Sequence, residues 1–132
     1  MKSALITIVI LTNVFVLEKA DTEKDREMGM MYRKDWGNID GMIFIHKESA
    51  PVAYWMKNTY LQMNMLFLDT NLNILESYYP KPLSLDIIYS SNTNIKYVIE
   101  LNPLISNKFF LNYNQLKAEL KKRLDESEKD VK

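Results

Sequence analysis

Trp55-Met56-Lys57-Asn58-Thr59 sets an indole, an ammonium, a side-chain amide and a hydroxyl side by side. Where an ammonium, an amide and a hydroxyl converge, they can hold an anionic or hydroxylated ligand, with the indole as a stacking wall. If the apolar strand ahead of them continues, alternation sends Trp55, Lys57 and Thr59 to one face. A purely structural reading uses the same residues: Trp55 in the core, Lys57 paired with an acid, Asn58 and Thr59 holding a turn. The string alone leaves both readings open.

Other chemistry is thinner. His46 stands beside Lys47 and Glu48 at the end of an apolar run, which reads as a solvated loop imidazole rather than a general base. Asp69-Thr70-Asn71-Leu72-Asn73 begins like a calcium-binding loop. The sixth position is Ile74 where the turn needs glycine, and the twelfth is Pro80 where a bidentate glutamate belongs, so a polar hairpin turn is expected. No serine sits in a glycine-flanked nucleophile elbow, and 3 glycines cannot build a phosphate-cradling loop. Cysteine is absent, which removes disulfides, thiolate zinc sites, iron–sulfur clusters and cysteine nucleophiles. No metal site and no cofactor is expected. Lys+Arg and Asp+Glu both number 17, so the formal charge is zero and no nucleic-acid partner is expected.

These residues must be positioned by a chain of 132 residues, long enough for one domain with a core of its own. Residues 1–20 have two readings. As a leader, a charged start and an apolar run precede a cleavage site after Ala20, though Glu18 and Lys19 are poor residues there. As a β-hairpin, two runs rich in β-branched residues flank a turn at Leu11-Thr12-Asn13. Retention suits a cytoplasmic protein, whereas a leader leaves export open. The run is too short and too polar for a membrane span.

Residues 20–36 read as a helical segment, capped by Asp21 or Thr22 and weakened by Gly29. Met28, Met31 and Tyr32 fall at helical spacing, which suggests core packing. Short apolar runs predict strands at 42–45, 53–56, 65–68, 74–79, 87–89 and 96–101. From Asn112 the period changes: Leu116, Leu120 and Leu124 recur every four residues among 6 Lys/Arg and 5 Asp/Glu. This is an amphipathic helix that either packs back on the domain or serves a protein partner or self-association through those leucines. The chain is expected to fray after Asp125. A β-rich domain over 1–111, then a helix and tail over 112–132, is the expected division.

Five strings occur in a telling order: Gly29-Met30-Met31-Tyr32-Arg33, Gly41-Met42-Ile43-Phe44, Trp55-Met56-Lys57-Asn58-Thr59, Phe67-Leu68-Asp69 and Val98-Ile99-Glu100-Leu101-Asn102. In this the chain resembles domain of unknown function 192, a bacterial and archaeal family, over about residues 15–111. The resemblance implies a mainly β fold: a compact, antiparallel, jelly-roll-like sandwich or barrel with one short N-terminal helix. The C-terminal amphipathic helix is an addition to it. It makes residues 14–19 a core strand, which favours the retained hairpin. It supplies no established activity.

The chain departs from the family where a proline and an aspartate are usual. Gln62 and Asn64 stand there, and an acid at the second position could balance Lys57 or Arg33. Glycines usual after Asn102 are also missing, so that turn is rebuilt. Through the shared strings, Arg33, Trp55, Lys57, Asn58, Thr59 and Glu100 are expected to line one polar pocket. The expected function is non-enzymatic binding of a small anionic or sugar-like ligand. The alternatives are a hydrolase with Glu100 as general base and Arg33 or Lys57 stabilising negative charge, or a protein-interaction module acting through the C-terminal helix. A structural Arg33–Glu100 ion pair would explain the same two residues.

Overall fold

The computed structural model describes residues 4–11 and 13–129. Six strands form one mixed sheet in the order β1-β2-β3-β8-β5-β6. They are β1 (Leu5–Ile10), β2 (Asn13–Ala20), β3 (Gly41–Ala50), β5 (Asn64–Leu68), β6 (Ile74–Tyr78) and β8 (Ile95–Leu101). A separate two-stranded ribbon pairs β4 (Ala53–Tyr54) with β7 (Ile88–Tyr89). The sheet ends on β1 and β6 and does not close, which corrects the barrel expectation. It is also not wholly antiparallel, because β2 runs parallel to β3 from Leu17↔Gly41 to Ala20↔Phe44.

The parallel step dictates much of the rest. Adjacent parallel strands need a long crossover, and residues 21–40 supply it. It carries α1 (Glu23–Met28), whose N-cap Thr22 hydroxyl accepts from the Asp25 N–H at 3.0 Å. The helix is far shorter than the 20–36 segment that spacing predicts. Gly29 ends it at φ 48, in the left-handed region that glycine enters at little cost. Met28 and Tyr32 are consequently exposed, at 47% and 58%, and Met31 is half-buried, so the core packing expected of these three is not found; the buried residue here is Met30. Asp40 closes the crossover: its carboxylate accepts from the Val16 N–H at 2.9 Å, and its own N–H donates to the Val16 carbonyl. Gly41 follows because a Cβ there would stand 2.6 Å from the Glu100 carbonyl oxygen.

The hairpin at the N-terminus is present as β1 against β2, in register from Leu5↔Glu18 to Ile10↔Asn13. Leu11 takes φ 52 in its turn, while Thr12 lies outside the described residues. Cleavage after Ala20 would remove two of the six strands. Among the described residues, no helix is long and apolar enough to cross a membrane.

Both faces of the sheet are covered, so the central strands read as continuous apolar runs. On one face Ile8, Phe15, Leu17, Ile43, Leu66, Ile99 and Leu101 pack with the C-terminal segment. That segment holds α2 (Ser106–Leu111), which the periodicity had not predicted, and α3 (Tyr113–Lys129). Leu116, Leu120 and Leu124 are buried here, as is Phe109. In this fold those leucines pack against the sheet. The helix continues past Asp125 to Lys129, and residues 130–132 lie outside the described residues. On the other face Met42, Phe44, Met65, Phe67 and Val98 pack with Met30 of the crossover and with Met56 and Met63.

Candidate functional site

Strand alternation sends Glu100 to the same face as Val98, the face opposite α3. There it meets a cleft of about 790 Å³, within the usual range of small-molecule sites. One wall is α1 and the loop to Tyr32. The other is the segment from Ala53 to Thr59. Phe44 and His46 of β3 and Glu100 of β8 complete the lining.

The Trp55–Thr59 string builds its wall as a turn, not as an extended strand. β4 ends at Tyr54, and Asn58 adopts φ 56. The alternation expected to align Trp55, Lys57 and Thr59 therefore does not apply. Thr59 is buried, its hydroxyl donating to the Lys57 carbonyl at 3.0 Å and its N–H to the Met56 carbonyl. Asn58 ties the walls together: its carbonyl accepts from the Tyr32 N–H at 2.8 Å, and its Nδ2 donates to the Tyr32 hydroxyl at 2.9 Å. Among the described residues Lys57 pairs with no acid; its Nζ lies 5.1 Å from the centroid of the Trp55 ring, a cation–π contact. Trp55 is not core, being 41% exposed.

Glu100 occupies the central strand β8 between Met42 of β3 and Met65 of β5. It is only 5% exposed, and no described residue gives its carboxyl a hydrogen bond or an ion pair. Burial pushes its pKa up to about 8, so the acid holds its proton at neutral pH. Arg33 is not its partner. It makes a bidentate pair with Glu18 of β2, Nη1–Oε1 3.0 Å and Nη2–Oε2 2.7 Å, which raises the pKa of the guanidinium. Arg33 does not line the cleft. This corrects its place in the expected pocket, its proposed help to Glu100 as a base, and the structural Arg33–Glu100 pair. Of the six expected residues, Trp55, Lys57, Asn58, Thr59 and Glu100 share the cleft lining.

His46 and Tyr54 were not foreseen in the site. The imidazole is half-buried, not solvated, with Nε2 2.7 Å from the Tyr54 hydroxyl. Burial, then the charges of Arg26 and Lys96, lower its pKa to about 4, so the ring is neutral. Burial, and next the charge on Glu100, raise the Tyr54 pKa well above its ordinary value. Phe44 meets the Tyr54 ring edge-on at 5.3 Å. Arg26 reaches across from α1 to donate to the Ile45 carbonyl at 2.9 Å, fixing the helix above the floor. The period-2 pattern of β3 places His46 on the face of Phe44, and that was the available signal.

Asn64 has a different task from the one the family's acid suggested. It is fully buried in β5, and its Nδ2 donates to the Ser77 hydroxyl at 2.9 Å and to the Tyr78 carbonyl at 3.0 Å. It fastens β5 to β6 and lines no part of the cleft. Gln62 is exposed.

The model of the family described as Uncharacterized ACR, domain of unknown function 192, matches residues 7–113. The chain belongs to that family. A crystal structure of a candidate transcription regulator from Sinorhizobium meliloti is 35% identical, with a TM-score of 0.64, and the match covers 73% of this chain and 77% of that one. A crystal structure of a protein of unknown function from Novosphingobium aromaticivorans has the same TM-score of 0.64 at 21% identity, over 78% of this chain and 76% of that one; it supports the fold alone. No curated protein matches. The family match ends at Tyr113, at the start of α3, so the helix that covers the sheet lies almost wholly beyond it.

Proposed function

We propose that this domain binds a small hydroxylated, sugar-like ligand in the cleft and performs no reaction on it. The observation that carries the reading is Trp55, a large ring left 41% exposed on the wall of a cleft lined also by a buried, unpartnered carboxyl. Indole faces stack on the apolar faces of sugar rings, and a protonated Glu100 can both donate to and accept from a hydroxyl. Asn58 adds an amide at the same wall. An anionic ligand fits less well, because Arg33 is held by Glu18 outside the cleft lining and Lys57 lies over Trp55. The likeness to a candidate transcription regulator is not carried over, since 17 cationic and 17 acidic side chains leave no basic surplus for nucleic acid.

The test is a thermal-shift and fluorescence titration with neutral sugars, carboxylates and phosphates. A ligand that binds only the folded form adds about 2.7 kcal/mol at a hundredfold excess over its Kd. Sugars should raise the Tm, and Trp55→Ala should abolish the rise while the unliganded protein still melts cooperatively. Shifts by anions alone, lost in Lys57→Ala, would replace this reading with the anionic one. A flat response to every class would remove it.

A further inference from the structure

We infer that the ligand of this cleft carries a protonated amine, which forms an ion pair with Glu100; the inference rests on the cleft being a ligand site. Other carboxylates in this fold that are withdrawn from solvent have partners. Glu18 has Arg33, Asp40 has the Val16 N–H, and Glu76 has Tyr78 with the N–H groups of Ser91 and Asn92. Glu100 is the more buried group, yet among the described residues it has none. A buried carboxyl without a partner costs free energy, and a methionine would pack between Met42 and Met65 without that cost. A charge supplied by a ligand gives the acid a use.

The nearby cations do not fill the role. Arg26 donates to the Ile45 carbonyl, and Lys57 lies over Trp55. Lys24, Glu23 and Glu27 of α1 are exposed residues of the other wall, and His46 is neutral. The apolar part of the cleft lining is aromatic and thioether-rich: Phe44, Tyr54, Tyr32, Trp55, Met28 and Met30. Such walls favour an organic ammonium through ring quadrupoles and soft sulfur. They do not suit a metal ion, which needs three or more hard or imidazole ligands; the described residues hold no group of three placed for one. With Trp55 as the stacking face, the class is a hydroxylated ring bearing a protonated amine, such as an amino sugar.

Pairing ionises Glu100, so its proton leaves for solvent as the ammonium binds. Affinity should then rise with pH, about tenfold per unit at most while both Glu100 and the ligand's amine remain mainly protonated, and should level off once either loses its proton. The experiment is calorimetric titration with matched pairs: glucosamine and glucose, galactosamine and galactose, mannosamine and mannose, in buffers of different ionisation enthalpy. We expect the amine of at least one pair to bind tenfold or more tightly than its parent sugar and to release a proton. Glu100→Gln should abolish the proton release and bring the amine-to-parent affinity ratio to about one, whatever it does to sugar affinity itself. Glu100→Thr, which keeps a hydroxyl for the sugar and carries no charge, gives the same ratio should the glutamine variant not fold. Amines binding no better than their parents would overturn the inference and leave sugar binding standing, as would a preference that survives both variants. If no member of any pair binds, both readings fall.

Discussion

At the scale of single residues, Arg33 and Glu100 show how charge placement separates support from function. Both lie in strings on which the resemblance to the family rests, yet among the described residues Arg33 is paired with Glu18 and Glu100 with nothing. The Arg33–Glu18 fork is about one-third exposed at Arg33 and one-quarter at Glu18, so it belongs with partly screened pairs. Arg33→Ala should cost about 1 kcal/mol, at the upper end for an exposed pair because the geometry is bidentate. Urea unfolding measures this, and titration of the variant should give unchanged ligand affinity. A binding loss much larger than the stability loss would return Arg33 to the site. The sequence could flag both residues but could not pair them. Glu18 lies fifteen positions from Arg33, on a strand reached only after the crossover folds back. The contiguous Trp55–Thr59 string was more legible, since a turn keeps neighbours in sequence together in space. His46 and Tyr54 were not legible as a pair, because their contact depends on β3 and β4 lying face to ribbon.

At the scale of elements, the strands were the readable part. Central strands covered on both faces leave short, uninterrupted apolar runs, and β5 and β8 fall close to where those runs predict them, as does the edge strand β6, while β3 runs on to Ala50 past its apolar start. Helix lengths were less readable. α1 stops at Gly29 although the spacing of methionines continues, and α2 has too few residues to show a period. The fate of α3 was open in sequence, because a narrow leucine stripe suits a sheet face or a partner equally well. In the fold, Leu116 and Leu120 have no exposure at all. Leu116→Ala should therefore cost about 2–5 kcal/mol, the usual range for a buried leucine that leaves a cavity. Ending the chain after Leu111 should abolish cooperative unfolding, since Ile8, Leu17, Ile43 and Ile99 lose their cover. Circular dichroism melts of both variants decide it. A truncated protein that melts as sharply and as high as the full chain would make α3 dispensable and free its leucines for another role.

At the scale of the whole molecule, three shifted groups set the stability against pH, and their signs differ. Glu100 is raised from 4.5 to about 8 by burial. Its favourable contribution is complete below pH 4.5 and is lost as pH rises toward 8. His46 is lowered from 6.5 to about 4 by burial and by Arg26 and Lys96. Its contribution is complete above 6.5 and is lost as pH falls toward 4. Glu76 is lowered from 4.5 to about 2, since the hydrogen bonds from Tyr78, Ser91 and Asn92 outweigh its desolvation. Its contribution is present above 4.5 and is lost as pH falls toward 2. Between 4.5 and 6.5 the folded chain keeps a proton on Glu100 that the unfolded chain releases, and refuses one at His46 that the unfolded chain takes up. The two slopes oppose, and stability should be nearly flat there. Above 6.5 only Glu100 acts, and stability should fall until about pH 8. Below 4.5 Glu76 dominates, and stability should fall again. Urea midpoints across pH 3–9 trace this curve. In Glu100→Gln the alkaline fall should vanish, and the flat region should tilt upward with pH because His46 is left unopposed. An alkaline limb unchanged in that variant would mean that the cleft carboxyl is already ionised in the free protein, and would assign the limb to another group.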